Sequence, residues 1–378
     1  ASELKALRAD PALSVTIDPQ AIADYLTWLY IPAPYTIVRE VQKLPAGSRL
    51  VMSAQGVRLE RYWRPVFTSG SPPLSIATAA DEVLEALRRA VRRQLVADVP
   101  VGMFLSGGVD SSGIVALARE ATSGPLHTFS AGFPGMGLYD ESAYAKQVAA
   151  RFGCEHHALE ISPSATDALD LVVRACDEPF GDSSAIPLYY LSKFARQRVT
   201  VALSGTGGDD LFAGYRRYAL ARWLPRYQRL PEPLRDWMGR ATRWLPAHRR
   251  SAWGQWGLYA RRFTQLGRNG ASPLESYRTT LMCCDASLRD ALLGSSARGH
   301  AAAGPATPTG VGARSPEWGE LLNTFLRSDL ETYLPDDLLV KEDRMTMAVG
   351  LESRVPFLDQ EVVEVALRMP SRLAMRGS

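Results

Sequence analysis

Hydrophobic residues between positions 78 and 203 alternate between short apolar runs and amphipathic segments with helical spacing. The apolar runs predict four strands, at 99–105, 126–132, 157–161 and 199–203. The amphipathic segments predict four helices, at 79–96, 110–121, 142–152 and 164–176. Strands alternating with helices of this length are typical of an α/β fold with a doubly wound parallel sheet. From Gly214 onward the pattern predicts a mainly helical region that contains a disordered insert at 294–315.

Residues 1–66 follow a different pattern, with short helices predicted at 2–7 and 18–29 and a β-hairpin at 47–63. Asp18 is the predicted N-cap of the second helix, and Pro19 occupies its first position. This α+β block is small for an independent core. We therefore divide the chain into a first block at 1–66, a linker at 67–77 and a larger domain at 78–378.

Composition and charge exclude several classes of protein. Of the 378 residues, 46% are hydrophobic and 22% are charged, which excludes a disordered chain. The net charge of +3 is too small to indicate a nucleic-acid partner, and no apolar run is long enough to cross a membrane. The four cysteines form no C-x-x-C pair, so they indicate free thiols in a reducing compartment, and we expect a cytoplasmic protein.

The five histidines show no spacing that is typical of a zinc site. His156 and His157 are neighbours on a predicted strand, where successive side chains point to opposite faces. We expect a structural role for both.

The strongest chemical signal follows the strand at 99–105, in the run Leu105-Ser106-Gly107-Gly108-Val109-Asp110-Ser111-Ser112. The two glycines allow a sharp turn, and the N–H groups at the start of the next helix form a site for an anion. Asp110 would repel a bare phosphate, so its presence predicts a bridging Mg²⁺. The Walker A pattern does not occur in the sequence.

A second glycine-rich turn, Ser204-Gly205-Thr206-Gly207-Gly208-Asp209, follows the strand at 199–203. Ligands of doubly wound sheets bind beyond the carboxyl ends of the strands, where both turns are predicted to lie. If the two strands are close, Asp110 and Asp209 can hold one Mg²⁺ between them.

These segments resemble known proteins. The run Ser106–Ser111 resembles the SGGxDS pyrophosphate loop of the ATP pyrophosphatases. Together with the second turn, the segments DEPFGDSSAIP (177–187), DDLLVKEDRM (336–345) and LESRVPFLD (351–359) resemble the synthetase domain of glutamine-dependent asparagine synthetases. Residues 1–7 and 43–47 resemble the end of the family's glutaminase domain and the connector after it. The resemblance implies an adenine-nucleotide-binding fold of the PP-loop type.

The resemblance also implies roles for individual residues. Those implied to bind ATP are Leu105, Ser106, Gly107, Gly108, Asp110, Ser111, Ser112, Ala131, Ser204 and Gly205. Those implied to be catalytic are Ser106, Asp110, Ser111 and Asp343, and those implied to contact the substrate are Asp182, Thr206 and Asp343. Asp110 and Asp209 are the implied Mg²⁺ ligands. The implied reaction is adenylation of the aspartate side chain with release of pyrophosphate, followed by attack of ammonia to give asparagine and AMP.

The sequence departs from the family at three points. Thr206 stands where asparagine synthetases have an acidic residue, and a hydroxyl is a poor general base. The family's glutaminase uses an N-terminal cysteine, but no cysteine precedes Cys154, so we expect this chain to lack glutamine hydrolysis. The chain also ends before the family's lysine-containing segment, so we expect full activity to need residues outside it.

Several interpretations therefore stay open. The chain can be part of an asparagine synthetase, a relative that adenylates a sugar or peptide carboxylate, or an inactive nucleotide-binding module. A tRNA-modifying ATP pyrophosphatase would need a basic groove or paired cysteines, and the sequence has neither. The expected partners are small-molecule substrates and the glutaminase domain of a longer chain, and a homodimer is also compatible with the sequence.

Overall fold

The computed structural model describes residues 1–67, 75–133, 141–161, 166–246, 252–266, 272–293 and 318–370. The first block contains helices α1 (Leu4–Arg8) and α2 (Pro19–Trp28), followed by an antiparallel hairpin of β1 (Ser48–Ser53) and β2 (Gly56–Arg61). As predicted, the Asp18 carboxylate caps α2 by accepting a hydrogen bond from the Gln20 N–H. Residues 68–74 of the predicted linker at 67–77 and the predicted insert at 294–315 lie outside the described residues.

The larger domain is built on parallel strands with the helices between them. The strands are β3 (Val101–Phe104), β4 (His127–Gly132), β5 (Glu155–Glu160), β6 (Val201–Leu203) and β7 (Glu352–Arg354). Helix α3 (Ile76–Gln94) precedes β3, and the helices between the strands from β3 to β6 are α4 (Val109–Ala121), α5 (Ser142–Arg151), α6 (Thr166–Cys176) and α7 (Ala185–Ala195). All neighbouring strands pair in parallel, in the order β5-β4-β3-β6-β7.

The rest of the domain is mainly helical, as predicted. Its helices are α8 (Gly208–Leu211), α9 (Arg216–Ala221), α10 (Leu224–Gln228), α11 (Glu232–Ala241), α12 (Ala252–Leu266), α13 (Pro273–Thr279), α14 (Ala286–Leu293), α15 (Trp318–Glu331), α16 (Leu339–Met347) and α17 (Gln360–Arg368). No helix in the part of the chain that the structure describes combines the length and hydrophobicity of a membrane span.

Alternating residues of the strands bury opposite faces of the sheet. Met103, Leu105 and Leu203 belong to a core that also contains residues of α3, α4, α5 and α17. Phe104 and Phe129, which are paired across β3 and β4, pack instead with α7 on the other face. Apolar residues cover both faces, which explains the continuous apolar runs in the sequence. The predicted doubly wound parallel sheet is confirmed.

Two elements were not predicted from the pattern, namely β7 and α7. The three residues of β7 are polar, and they form a strand because they pair with β6 and because Arg354 donates to the carbonyl groups of Gln94 and Val96. Helix α7 begins with Ala-Ile-Pro, and the proline falls in its first turn, where a missing N–H is tolerated. Tertiary contacts therefore decide both elements.

The arginine-rich side of α3 forms ion pairs at the surface. Arg89 and Arg93 each pair with the Glu361 carboxylate at 2.8 Å, and Arg93 also contacts Asp359 at 2.7 Å. These exposed ion pairs connect the first and last helices of the larger domain.

The first block packs directly on the larger domain through the segment that begins at Asp177. The Ile37 N–H donates to Glu178 Oε2 at 3.2 Å, and the Lys43 ammonium lies 2.5 Å from Glu178 Oε1. The Gly181 N–H donates to the Leu29 carbonyl at 2.8 Å. The division of the chain at 66 and 78 stays a prediction, because these contacts join the two parts closely.

A buried carboxylate holds together three helices of the C-terminal part. Asp329 on α15 is fully buried, and its Oδ2 accepts from the Arg217 guanidinium at 2.8 Å, the Tyr218 hydroxyl at 2.6 Å and the Tyr277 hydroxyl at 2.5 Å. An ion pair with additional hydrogen bonds is a stable arrangement in the interior, but removal of one partner leaves a buried charge uncompensated.

We expect Asp329→Asn to destabilise the protein by about 3–5 kcal/mol, because it leaves the Arg217 charge buried without a carboxylate. Tyr218→Phe removes a single hydrogen bond to the same oxygen and should cost about 1.5–3 kcal/mol. Urea unfolding of both variants provides the measurement. Equal losses in the two variants would contradict the central role of the Asp329 charge.

Candidate active site

A cavity of about 880 Å³ opens at the carboxyl ends of β3, β4 and β6. Phe104, Leu105 and Ser106 line it from β3, and Ser130, Ala131 and Phe133 line it from β4. Residues 204–209 line it from the end of β6. Both glycine-rich turns therefore face one cavity, at the position where doubly wound sheets bind ligands.

The first turn is held by its own serines. The Ser106 and Ser111 hydroxyl oxygens lie 3.0 Å apart, and the Gly108 N–H donates to Ser106 Oγ at 3.2 Å. Gly108 is the N-cap of α4, and no side chain forms a capping hydrogen bond there. The N–H groups of the first turn of α4 and the positive end of its dipole are therefore suited to an anion in the cavity.

The second turn packs closely against the first, and glycines stand at the points of contact. A Cβ atom on Gly208 would lie 2.5 Å from Asp110 Oδ2, and one on Gly205 would lie 3.0 Å from the Ser111 backbone nitrogen. Gly207 also has a φ of +95°, which side chains rarely adopt. These glycines allow the two turns to form one continuous wall.

The same packing places two carboxylates beside each other. Burial and, to a smaller extent, the negative charge of Asp209 together raise the pKa of Asp110 to about 6. Burial also raises the pKa of Asp209, although Arg217 opposes this shift. Both carboxyl groups are therefore harder to ionise than usual. A cation between them would favour their ionised forms, so the pair provides a site for a cation.

Most of the residues that the resemblance assigns to ATP share this cavity. Those that line it are Leu105, Ser106, Gly108, Asp110, Ser111, Ala131, Ser204 and Gly205. Gly107 and Ser112 do not line it. Gly107 has a φ of +86° and lies against α5, where a Cβ atom would be 2.7 Å from the Ala145 nitrogen, so its role here is to form the turn. The Ser112 hydroxyl is buried without a hydrogen-bond partner.

The residues assigned to the substrate lie in different places. Thr206 lines the cavity, and its hydroxyl oxygen lies 3.0 Å from Ser204 Oγ. Asp182 does not line it, but Asp182 Oδ2 lies 2.7 Å from the Lys341 ammonium, which does. Burial acts to raise the pKa of Asp182, but Lys341 and Ser184 outweigh it and lower the pKa. Asp343 is exposed on α16 and is not among the cavity residues.

Sequence reasoning missed several residues of the cavity wall. The apolar ones are Phe104, Phe133, Pro187, Leu188, Leu191 and Phe212, and the polar ones include Glu141, Tyr215 and Lys341. Lys341 was visible in the segment DDLLVKEDRM, but its position depends on a π-helical turn at Leu334–Leu338 that leads directly into α16. Such turns are frequent at functional sites, and the sequence pattern does not reveal them.

Comparison with known proteins identifies the family. The family model described as asparagine synthase matches residues 82–378, which is most of the chain. The chain belongs to the asparagine synthase family. A second family model, described as a glutamine amidotransferase domain, matches residues 1–63. Membership of the asparagine synthase family confirms the resemblance found in the sequence.

Two relatives illustrate this membership of the asparagine synthase family. Glutamine-hydrolyzing asparagine synthetase 1 of Bacillus subtilis is 33% identical over 384 residues, which cover 100% of this chain and 57% of the relative. A putative glutamine-hydrolyzing asparagine synthetase of Mycobacterium tuberculosis is 36% identical over 362 residues, covering 94% of this chain and 53% of the relative. The chain therefore spans a little more than half the length of these relatives.

A comparison with solved structures gives weaker likenesses. NMN synthetase from Francisella tularensis matches with a TM-score of 0.27 and 17% identity, and the match covers 38% of this chain and 59% of that chain. We base no argument on a likeness this low.

The burial of Asp110 beside Asp209 predicts a stability effect that depends on pH. Because the pKa of Asp110 is raised in the folded state, protonation of this group favours folding. The folded protein therefore loses stability as the pH rises from about 4 to 6. In EDTA at pH 8, we expect Asp110→Asn to be more stable than the parent by up to about 2–3 kcal/mol. This gain should shrink as the pH falls towards 5.

Urea unfolding at both pH values measures the effect. Asp98→Asn, which removes the same charge at an exposed position, is the matched control and should show no gain. A less stable Asp110→Asn variant at pH 8 would contradict the proposed repulsion.

Proposed function

We propose that this chain is the ATP-using part of an amide-forming ligase of the asparagine synthetase type. In the proposed reaction, an oxygen of a substrate carboxylate attacks the α-phosphorus of ATP, and the bond to the β-phosphate breaks. Pyrophosphate leaves and an acyl-adenylate forms. Ammonia then attacks the acyl carbon, and AMP leaves with the electron pair of the broken C–O bond. The observation that carries the proposal is that both glycine-rich turns and two carboxylates line one cavity.

The wall of the cavity fits the parts of ATP. The uncapped start of α4 and the hydroxyls of Ser106 and Ser111 offer hydrogen-bond donors to phosphate oxygens. Apolar side chains from β3, β4 and α7, among them Phe104 and Leu188, provide a surface for the adenine ring. Preorganised donors around the phosphates stabilise charge as pyrophosphate departs, which is usually the largest catalytic contribution in such steps.

The same residues fit Mg²⁺. Asp110 and Asp209 offer the hard oxygen ligands that Mg²⁺ prefers, and burial and the charge of Asp209 raise the pKa of Asp110, an effect that a bound cation would oppose. When bound, Mg²⁺ would neutralise charge on the phosphates of ATP. Gly208 leaves room for the Asp110 carboxylate, because a Cβ atom there would lie 2.5 Å from Asp110 Oδ2.

Lys341 is the best candidate for recognising the substrate carboxylate. It lines the cavity beyond the second turn, and Asp182 and its partner Ser184 hold it in place. An ammonium group at this position offers the positive charge that an incoming carboxylate needs. Aspartate is the acceptor that membership of the family favours, but Thr206 gives the cavity a neutral hydroxyl where asparagine synthetases have an acid, which favours a different carboxylate as the second candidate.

Ammonia would come from glutamine. Residues 1–63 match the amidotransferase model, and the relatives are named glutamine-hydrolyzing asparagine synthetases. The first block packs on the segment that carries Asp182, through Glu178 and Gly181. We propose that a glutaminase domain attached to this block delivers ammonia to the cavity.

Mg²⁺-dependent nucleotide binding tests the ATP site. We expect Asp110→Asn and Asp209→Asn each to weaken binding of α,β-methylene-ATP in Mg²⁺ by at least about tenfold, which corresponds to 1.4 kcal/mol. In EDTA the variants should bind the analogue no more weakly than the parent, because the lost carboxylate then only removes repulsion. Titration calorimetry gives the affinities, with Asp98→Asn as the control. Unchanged affinities in Mg²⁺ would exclude the proposed metal role.

Exchange of labelled pyrophosphate into ATP tests the reaction and its acceptor. We expect exchange that depends on a carboxylic acid, with aspartate compared against acidic sugars and peptides. Exchange that depends on another acid would reject aspartate as the acceptor. If the chain binds the analogue but none of the acids supports exchange, the site binds nucleotide without catalysing the reaction.

The role of Lys341 has its own test. Lys341→Met should raise the KM for the acid that supports exchange by about tenfold or more while it leaves the affinity for α,β-methylene-ATP unchanged, because the proposed partner of the ammonium is the acceptor carboxylate and not a phosphate. Lys193→Met, at an exposed lysine on α7, is the matched control. Equal KM values for the parent and Lys341→Met would contradict this assignment.

A further inference from the structure

A second group of chemically active side chains lies at the opposite end of the sheet from the ATP cavity. His127 and Glu155 are the first residues of β4 and β5 and are directly paired in the parallel register. His157 lies two residues further along β5, on the same face as Glu155. In contrast, residues near the carboxyl end of β4 line the ATP cavity, so the two sites are separated by the length of the strand.

The side chains of these three residues converge. His127 Nδ1 lies 3.3 Å from His157 Nε2 and 3.5 Å from Glu155 Oε2. One ligand atom from each of the three side chains lies within 4.8 Å of the other two. A tetrahedral zinc ion with bonds of about 2.0–2.1 Å holds neighbouring ligand atoms about 3.3–3.4 Å apart. Both measured distances are close to this spacing.

The chemistry of the ligands agrees with the geometry. Two imidazoles and one carboxylate form a ligand set that zinc uses in proteins, whereas Mg²⁺ and Ca²⁺ prefer oxygen ligands.

The surrounding residues support the position of the His157 ring. It stacks on Phe129 with the ring centres 5.1 Å apart and on His127 with the centres 5.6 Å apart. His156 points to the other face, where it contacts the Thr128 and Ser130 hydroxyls. The two neighbouring histidines therefore have different surroundings, and only His157 belongs to the convergent group.

We propose that His127, Glu155 and His157 form a binding site for a divalent transition-metal ion, with Zn²⁺ as the best match. Three protein ligands leave the fourth position of the ion to water. The ion would connect β5, the edge strand of the sheet, to β4, and would thereby stabilise the sheet far from the ATP cavity. The site does not depend on the proposed ligase function.

Metal titration of the chain tests the proposal. After treatment with EDTA and its removal, we expect one Zn²⁺ to bind per chain with a dissociation constant in the micromolar range or tighter, and the melting temperature to rise. Loss of a residue that only supports a metal ligand typically weakens metal binding by roughly 10–100-fold. His127→Gln and His157→Gln each remove a ligand and should weaken Zn²⁺ binding by more than this. His156→Gln is the matched control, and Asp110→Asn combined with Asp209→Asn controls for binding at the ATP cavity. Both controls should retain the site.

Cobalt provides a measurement on the parent protein that does not depend on how the variants fold. Bound Co²⁺ should give the visible absorption of a tetrahedral ion. The NMR spectrum of the Co²⁺-bound protein should show shifted resonances from two imidazole rings, and these resonances should disappear when Zn²⁺ replaces Co²⁺. Binding only at millimolar metal, unchanged affinity in both histidine variants, or a Co²⁺ spectrum without imidazole resonances would each overturn the proposal.

Discussion

The contact between the two glycine-rich turns is the constraint on which the candidate active site depends. Gly205 and Gly208 pack against the backbone of Ser111 and the carboxylate of Asp110, where even a methyl group would be too close. This contact requires that β3 and β6 are adjacent, because only neighbouring parallel strands bring their following turns together. The other strands of the sheet and the helices packed on its two faces hold β3 and β6 in place.

The same contact explains why the site is electrostatically unfavourable without a cation. A close fit between the turns buries part of Asp110 beside Asp209, and both carboxylates then resist ionisation. A protein selected only for stability would not keep this arrangement, since removal of either charge relieves the repulsion. The acidic pair therefore agrees with the cation site that we propose, and it lowers the stability of the free protein.

Segments that resemble the asparagine synthetases also have structural roles in this chain. Glu178 accepts a hydrogen bond from the Ile37 N–H and pairs with Lys43, and Asp336 accepts one from the Ala33 N–H at 3.0 Å. Both acids belong to motif segments, yet they hold the first block against the larger domain. Asp182 in the same region supports Lys341 instead of lining the cavity. A motif residue is therefore not by itself a residue that contacts substrate.

The sequence alone determined the parallel α/β fold and the two glycine-rich turns, because hydrophobic spacing and the chemistry of glycine and aspartate are local properties. Its motif segments indicated the family through their resemblance to known proteins. It did not reveal β7, whose polar residues form a strand only beside β6, or the position of Lys341, which follows from a π-helical turn. It also gave no sign that His127 and His157 meet, since they are far apart along the chain and become neighbours only through the register of β4 and β5. Pairing between distant segments is decided by packing of the whole chain, and only the tertiary structure shows it.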